Sequence, residues 1–374
     1  MAATEILRRI GAALGSLGAG LAALLGHGAA RAVDLPADTA EAMVHIYDGG
    51  GVKAIGPAFL VRKNIADKVS LSGTYYVDMV SNASIDVVTT ASAYKEVRNE
   101  FDLSMAYATR DSLITLSGSH SQEPDYVANS FSVDVSQEIF SGLSTISLGF
   151  TRGQDQVGMK DNPSFSDSAR HWQYRVGGSL ILSPRWVASA NLEAIADDGY
   201  LGSPYRLARV FGSFIHENNP STRASRAVKF RVIGDVGEAG ARSAVHAEYR
   251  YFWDNWAIRA NTLEAGYTRY LGDAFLVDGF GRYNHQTKAL FYSDNAPTET
   301  TYFTRNRQLG TFNSMSLGAH LSWNAASVPG KYDVKLHGSW EIVRFDYQDF
   351  TDIRTGKPYA FTGHVVQLYM TATF

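Results

Sequence analysis

Apolar and polar residues alternate over most of this chain, and the alternation is plainest at its carboxyl end. In GHVVQLYMTATF, residues 363–374, the residues Val366, Leu368, Met370, Ala372 and Phe374 form an apolar set. The intervening Val365, Gln367, Tyr369, Thr371 and Thr373 are mostly polar. A period of two belongs to a strand whose faces meet different surroundings. About ten residues let a slanted strand cross a membrane, and an apolar outside with an aromatic end is what a membrane barrel needs. Phe374 is the expected assembly signal, read by the barrel assembly machinery.

The same alternation predicts strands near 41–48, 52–62, 68–80, 97–110, 111–121, 126–139, 142–153, 169–183, 185–197, 223–234, 241–254, 256–271, 274–290, 308–324, 331–346 and 361–374. The total is about 16, within a range of about 14 to 18, and an even number suits a single-chain barrel. Short turns at Arg110-Asp111, Phe140–Gly142, Ser183-Pro184 and Gly272-Asp273 all fall at one end of such a barrel. The long connections 81–96, 154–168, 198–222, 291–307 and 347–360 all fall at the other. The expected fold is therefore all-β: a transmembrane antiparallel up-and-down β-barrel with periplasmic termini and long extracellular loops. Segment 81–96 carries its own apolar core (Ile85, Val87, Val88), so it either folds inward to narrow the passage or packs at the rim.

Face assignment follows from the alternation. Met315, Leu317, Ala319, Leu321 and Trp323 oppose Ser314, Ser316, His320, Ser322 and Asn324. Leu336, Gly338, Trp340 and Ile342 oppose Lys335, His337, Ser339 and Glu341. A soluble barrel would bury these charges at high cost, so the charged face lines water. The six tryptophans fall near strand ends: Trp186 and Trp323 at the short-turn rim, Trp172, Trp253, Trp256 and Trp340 toward the other, as two aromatic girdles.

Composition narrows the class. Arg8 and Arg9, an apolar Gly/Ala/Leu run to Gly26, and Ala30-Arg31-Ala32 read as a secretory signal peptide over residues 1–32. The barrel domain then spans 33–374, in the outer membrane of a Gram-negative bacterium, facing outer-membrane lipid and lipopolysaccharide. After Val33 no apolar run is long enough for a membrane helix. A net charge of −3 leaves no basic surplus for nucleic acid. The absence of cysteine excludes disulfides and thiolate metal sites.

Inward positions carry an acidic group, Asp78, Glu100, Asp102, Asp134 and Glu138, and a basic group, Lys229, Arg231, Arg242, Arg250 and Arg282, with Glu248 and Asp278 as exceptions within the basic group. In a barrel of about 16 strands the two sets lie on opposed walls lining the lumen. Their field would act on small polar or ionic solutes.

Four segments carry a family resemblance: YYVDMVSNASIDVVTTASAYKEVRNE (Tyr75–Glu100), GSPYR (Gly202–Arg206), HAEYRYFWDNW (His246–Trp256) and FYSD (Phe291–Asp294). They resemble the family of outer-membrane barrels catalogued as domain of unknown function 3570, over about Glu41 to Phe374, and depart from it in the 198–222 connection. The resemblance implies a barrel and assigns no catalytic residues. It also implies a periplasmic redox partner, because related proteins are found beside flavin-transfer and redox-related genes.

Catalytic motifs are missing: there is no P-loop, GxGxxG helix start, HExxH or GxSxG. His320, His337 and His246 are more simply solvated wall residues than metal ligands, and Asp197-Asp198 reads as a solvated loop pair. No cofactor is expected, and no enzymatic role. The expected function is porin-like passage of small polar or ionic solutes. The alternatives are a non-conducting scaffold for a periplasmic or surface redox partner, or an outer-membrane enzyme.

Overall fold

The computed structural model describes Val33, residues 35–82, Ser84, 94–238 and 242–374. The strands, in chain order, are β1 (Thr39–Gly49), β2 (Val52–Ala66), β3 (Val69–Asn82), β4 (Tyr94–Ala108), β5 (Ser112–Glu123), β6 (Tyr126–Ile139), β7 (Ser144–Gly158), β8 (Ser166–Ser183) and β9 (Trp186–Gly199). They continue with β10 (Leu207–Val210), β11 (Ser213–His216), β12 (Thr222–Asp235), β13 (Ser243–Asp254), β14 (Arg259–Leu271), β15 (Phe275–Gln286), β16 (Phe312–Val328), β17 (Tyr332–Asp352) and β18 (Lys357–Thr373). All but β10 and β11 form one closed barrel, each strand antiparallel to its neighbours. The sixteen expected barrel strands are all present.

Closure needs the first and last strands to share a register. Thr39 pairs with Thr373 and Gly49 with Gly363, so β1 is paired with the terminal strand from its first residue to its last. The seam ends in a polar clip: the Phe374 N–H donates to Asp38 O, and Asp38 Oδ1 accepts the Asn64 N–H at 2.6 Å. Lys63 donates to the Asp38 carboxylate and lies 5.4 Å from the Phe374 ring centroid. The Lys63 hydrogen bond holds the Asp38 carboxyl below its usual range.

Pairing settles which face each residue shows. Val366, Leu368, Met370 and Phe374 point outward, as do Met315, Leu317, Leu321 and Trp323. Leu317 and Leu368 keep 68% and 60% of their surface outside the protein, which is tolerable only against lipid. The termini, six tight connections and the link from β12 to β13 share one end, called here the turn end. Residues 83–93, 159–165, 200–221 and 287–311 connect strands at the other, the loop end.

Three details differ from the sequence reading. The 347–360 connection is mostly strand: β17 and β18 run on past a bulge between Asp346 and Thr351, leaving a turn of 353–356. Trp256 is 5% exposed and packs among Phe252, Ile258, Tyr292 and Leu309 instead of meeting lipid, because it lies in the 255–258 turn between β13 and β14 and not on a strand. Trp340 pairs with Ala319, only four positions from the level of Trp323, so it lies within the apolar band and not at the loop-end rim. Segment 81–96 lies mostly outside the described residues, as do residues 1–32.

Candidate functional site: the lumen and its cap

Inward positions come from every second residue of each strand, so the lumen wall is set by the same alternation that makes the apolar exterior. On this wall, charged residues form ladders of unlike sign. Arg175 Nη2 lies 2.7 Å from Asp134, Lys229 Nζ 3.3 Å from Glu248, and Arg250 4.0 Å from Glu193. Arg282 bridges Glu264 at 2.7 Å and Glu341 at 3.2 Å. Room for these groups comes from glycine on the neighbouring strand. A Cβ at Gly149 would sit 2.3 Å from Asp134 Oδ1, and one at Gly266 would sit 2.2 Å from His246 Cε1.

The sequence-assigned residues can now be placed. Glu100, Asp102, Asp134 and Glu138 point inward, on β4 and β6, and Lys229, Arg231, Arg250 and Arg282 point inward on β12, β13 and β15. Asp78 points inward but is fully buried: His45 lies 3.3 Å away, with Tyr76 and Arg98 around it, so its carboxylate does not line water. Arg242 lies in the turn-end connection before β13, paired with Asp273 at 3.1 Å and stacked 4.1 Å over Tyr270. It belongs to the rim and not to the wall, because β13 begins only at Ser243.

Neither wall is of one sign. Arg98 and Arg175 sit among the acidic group, and Glu193, Glu248, Glu264 and Asp278 sit among the basic group. Glu248 and Asp278 are the exceptions already legible in the sequence, whereas Arg98, Arg175, Glu193 and Glu264 emerge only from the pairing. What sorts is the face and not the wall. On inward strand positions, carboxylates clearly outnumber basic side chains; Asp102 and Glu138 there have no cation within 4 Å among the described residues. On outward positions the balance reverses, with Lys53, Lys95, Arg152, Arg170, Arg226 and Arg259 all outward at the loop end.

The three histidines hold no common centre. His320 and His337 stack nearly parallel, 5.6 Å apart, with Tyr369 stacked 4.2 Å from His337. His246 lies instead between Glu264 at 3.7 Å and Asp278 at 3.9 Å.

The loop end is capped, which alternation did not foretell. The 200–221 connection folds into the β10–β11 hairpin, and the 287–311 connection adds to it through bridges Val210–Ala296 and Asn218–Phe303. Ala289, Tyr292 and Leu309 then pack onto inward Ala227, Phe252 and Ala260, so the second connection lies down into the mouth. Glu217, its side chain 1% exposed, joins the two: it pairs with Arg206 at 3.3 Å and accepts from the Ser203 N–H at 3.1 Å and Thr304 Oγ1 at 2.5 Å. On one side Arg305 donates to Thr351 O at 2.6 Å and lies 4.2 Å over Phe350, while Tyr292 donates to Asp349 O at 3.0 Å. On the other, the Tyr205 hydroxyl donates to Asp125 and accepts the Lys160 N–H at 2.7 Å. Burial, and then the Asp125 carboxylate, push that phenol above its usual range. The cap is thus fastened at well-separated points of the rim.

A closed antiparallel barrel with an apolar exterior, a charged interior and one capped end is a barrel of the outer-membrane type. Residues 154–337 match the model of the family described as protein of unknown function (DUF3570), and this match together with the closed barrel fits an outer-membrane barrel family. The matched range holds GSPYR, HAEYRYFWDNW and FYSD; the Tyr75–Glu100 segment lies outside it, so the match is narrower than the resemblance read from sequence. No curated protein sequence matches the chain. Among solved structures it is similar to a bacterial polysaccharide outer membrane secretin, with a TM-score of 0.51 at 8% identity, covering 91% of this chain and 100% of that one. It is also similar to CdiB from Acinetobacter baumannii, TM-score 0.50 at 9% identity, covering 90% of this chain and 60% of that one. A Pseudomonas aeruginosa FadL homologue follows at TM-score 0.44 and 11% identity, covering 91% of each chain. Identities this low speak to the fold alone.

Proposed function

We propose that this barrel lies in the outer membrane with its termini in the periplasm, and that it passes small polar or ionic solutes, cations in preference to anions. The observation that carries the reading is the excess of carboxylates on inward positions, including Asp102 and Glu138, which have no cation within 4 Å among the described residues. In a narrow tube with low-dielectric walls, such an excess enriches cations and repels anions over a Debye length. Likeness to outer-membrane barrels supports a transport-type role. The test is reversal potential under a salt gradient with purified protein in planar bilayers. The wild type should favour cations, and Glu100→Gln with Asp102→Asn and Asp134→Asn should move selectivity toward anions. The shift should shrink near 1 M salt, where screening falls to about 3 Å. Unchanged selectivity in a conducting triple variant would remove these residues from the path.

The cap favours a second reading, a non-conducting scaffold for a periplasmic or surface redox partner, since it closes over the mouth through buried polar contacts. Current that stays absent after the 287–311 connection is shortened would select the scaffold.

A further inference from the structure

The outward face at the loop end carries basic side chains in an ordered arrangement, and the lumen does not use them. Two cross-strand rows define it. In the upper row Arg152 pairs with Trp172, Trp172 with Ala196, and Ala196 with Ala224. In the lower row Tyr174 pairs with Ala194, Ala194 with Arg226, Arg226 with Trp253, and Trp253 with Arg259. Trp172 lies between two guanidinium groups, Arg152 at 5.1 Å and Arg170 at 5.9 Å. Arg170 is bound to Asp198, whereas Arg152, Arg226 and Arg259 have no acidic partner within 4 Å among the described residues.

The rows make a shallow trough. Its floor is Ala194, Ala196 and Ala224; Trp172 and Tyr174 stand on one side, Arg226 and Trp253 on the other. Strands lie about 4.8 Å apart and rise about 3.4 Å per residue, so Arg152 and Arg226, three strand steps and two residues from each other, are separated by about 16 Å along the surface. Below the trough the face is apolar, with Leu192, Phe230 and Tyr251 outward. Guanidinium groups pair with phosphate in a bidentate fork, and tryptophan belongs at the boundary of headgroup and acyl chain. Two unpaired forks spaced across an apolar-floored trough suit a lipid whose sugar head carries two phosphates and whose chains run down the barrel wall.

We propose that this trough binds the phosphorylated disaccharide head of lipid A in the outer leaflet, one phosphate on Arg152 and the other on Arg226, with the chains lying over Leu192 and Phe230. The site rests on the orientation given above, loop end outward, and not on conduction. Outward basic residues are sparse at the turn end, where Arg269 on β14 is one, which matches a leaflet asymmetry in phosphate density.

The full mature chain, purified in detergent, can be titrated by native mass spectrometry with lipid A bearing both phosphates. The same lipid after phosphatase treatment and phosphatidylglycerol serve as comparisons. Wild type should retain bisphosphorylated lipid A at least tenfold better than either comparison lipid. Arg152→Gln combined with Arg226→Gln should remove that preference, Arg152→Lys with Arg226→Lys should weaken it severalfold, and Arg269→Gln should leave it intact. Heat-modifiability on gels verifies that each variant is folded. Equal binding of the dephosphorylated lipid or of phosphatidylglycerol, or full retention by the glutamine double variant, would overturn the site. A barrel that conducts nothing yet binds lipid A selectively would defeat the passage reading alone.

Discussion

Leu317 tests the assignment of faces on which the lumen, the cap and the lipid site all depend. It points outward from β16 and keeps 68% of its surface outside the protein. Trp323, on the same strand, marks the aromatic level of the turn end. A strand rises about 3.4 Å per residue and tilts about 40°, so each position climbs about 2.6 Å along the membrane normal. Leu317 then stands about 16 Å above Trp323, close to the middle of an apolar band of about 25 Å, and Leu321 stands only about 5 Å above it. Arginine at mid-depth costs about 2–4 kcal/mol and near the boundary about 0–1. Leu317→Arg is expected to cost about 3 kcal/mol and Leu321→Arg about 1 kcal/mol. The inward control is Ser117, which faces Ser104 and Ser132 across the ladder near Asp102 and Asp134. Ser117→Arg should cost little. Inward Ser316 is unsuitable as a control because it is 6% exposed and pairs with Arg282, so a large side chain there would clash. Urea unfolding in lipid vesicles reads the three costs. Equal midpoints for all three variants, or a larger loss at Ser117 than at Leu317, would refute the face assignment.

Other outcomes follow from the cap, the topology and the seam. Glu217→Gln leaves Arg206 without its buried counter-charge, about 1–3 kcal/mol, and should speed proteolysis within 200–221 and 287–311 while the barrel stays folded; unchanged cleavage would show that Glu217 does not fasten the cap. The Tyr205 phenol titrates higher in the folded cap than when free, so its contribution is complete below the ordinary tyrosine range, about 10, and falls away as pH rises above it. Alkaline loosening of the cap should therefore be present in wild type and absent in Tyr205→Phe, which is already loosened; identical alkaline profiles would contradict this. Cysteines introduced in 159–165 or 200–221 should react with an impermeant thiol reagent on intact cells and those at Asp111 or Gly272 should not, the reverse pattern inverting the topology. Deleting Phe374, whose N–H and ring both join the seam, should slow appearance of the heat-modifiable band.

Much of the barrel was legible in the residues themselves. A period of two reports the face of each residue directly, because successive side chains of a strand leave on opposite sides. That is why the outward set Met315–Trp323 and the inward set of β18 could be read without coordinates, and why the strand count and the grouping of short turns at one end followed. What alternation cannot report is which inward residues meet. Asp134 reaches Arg175, and Arg282 reaches Glu341, across two strands of ladder, so the wall's balance of charge depended on register and closure. Enclosure was equally invisible: Asp78 has the same inward parity as Asp102, yet His45, from a strand 33 residues earlier, helps shut it away from water. The cap lay further still from any local signal. Its hairpin and the 287–311 connection are joined by contacts between residues distant in sequence, such as Glu217 with Thr304, 87 residues apart. Local pattern settles which way a side chain points, and only the closed tertiary structure settles what stands opposite it.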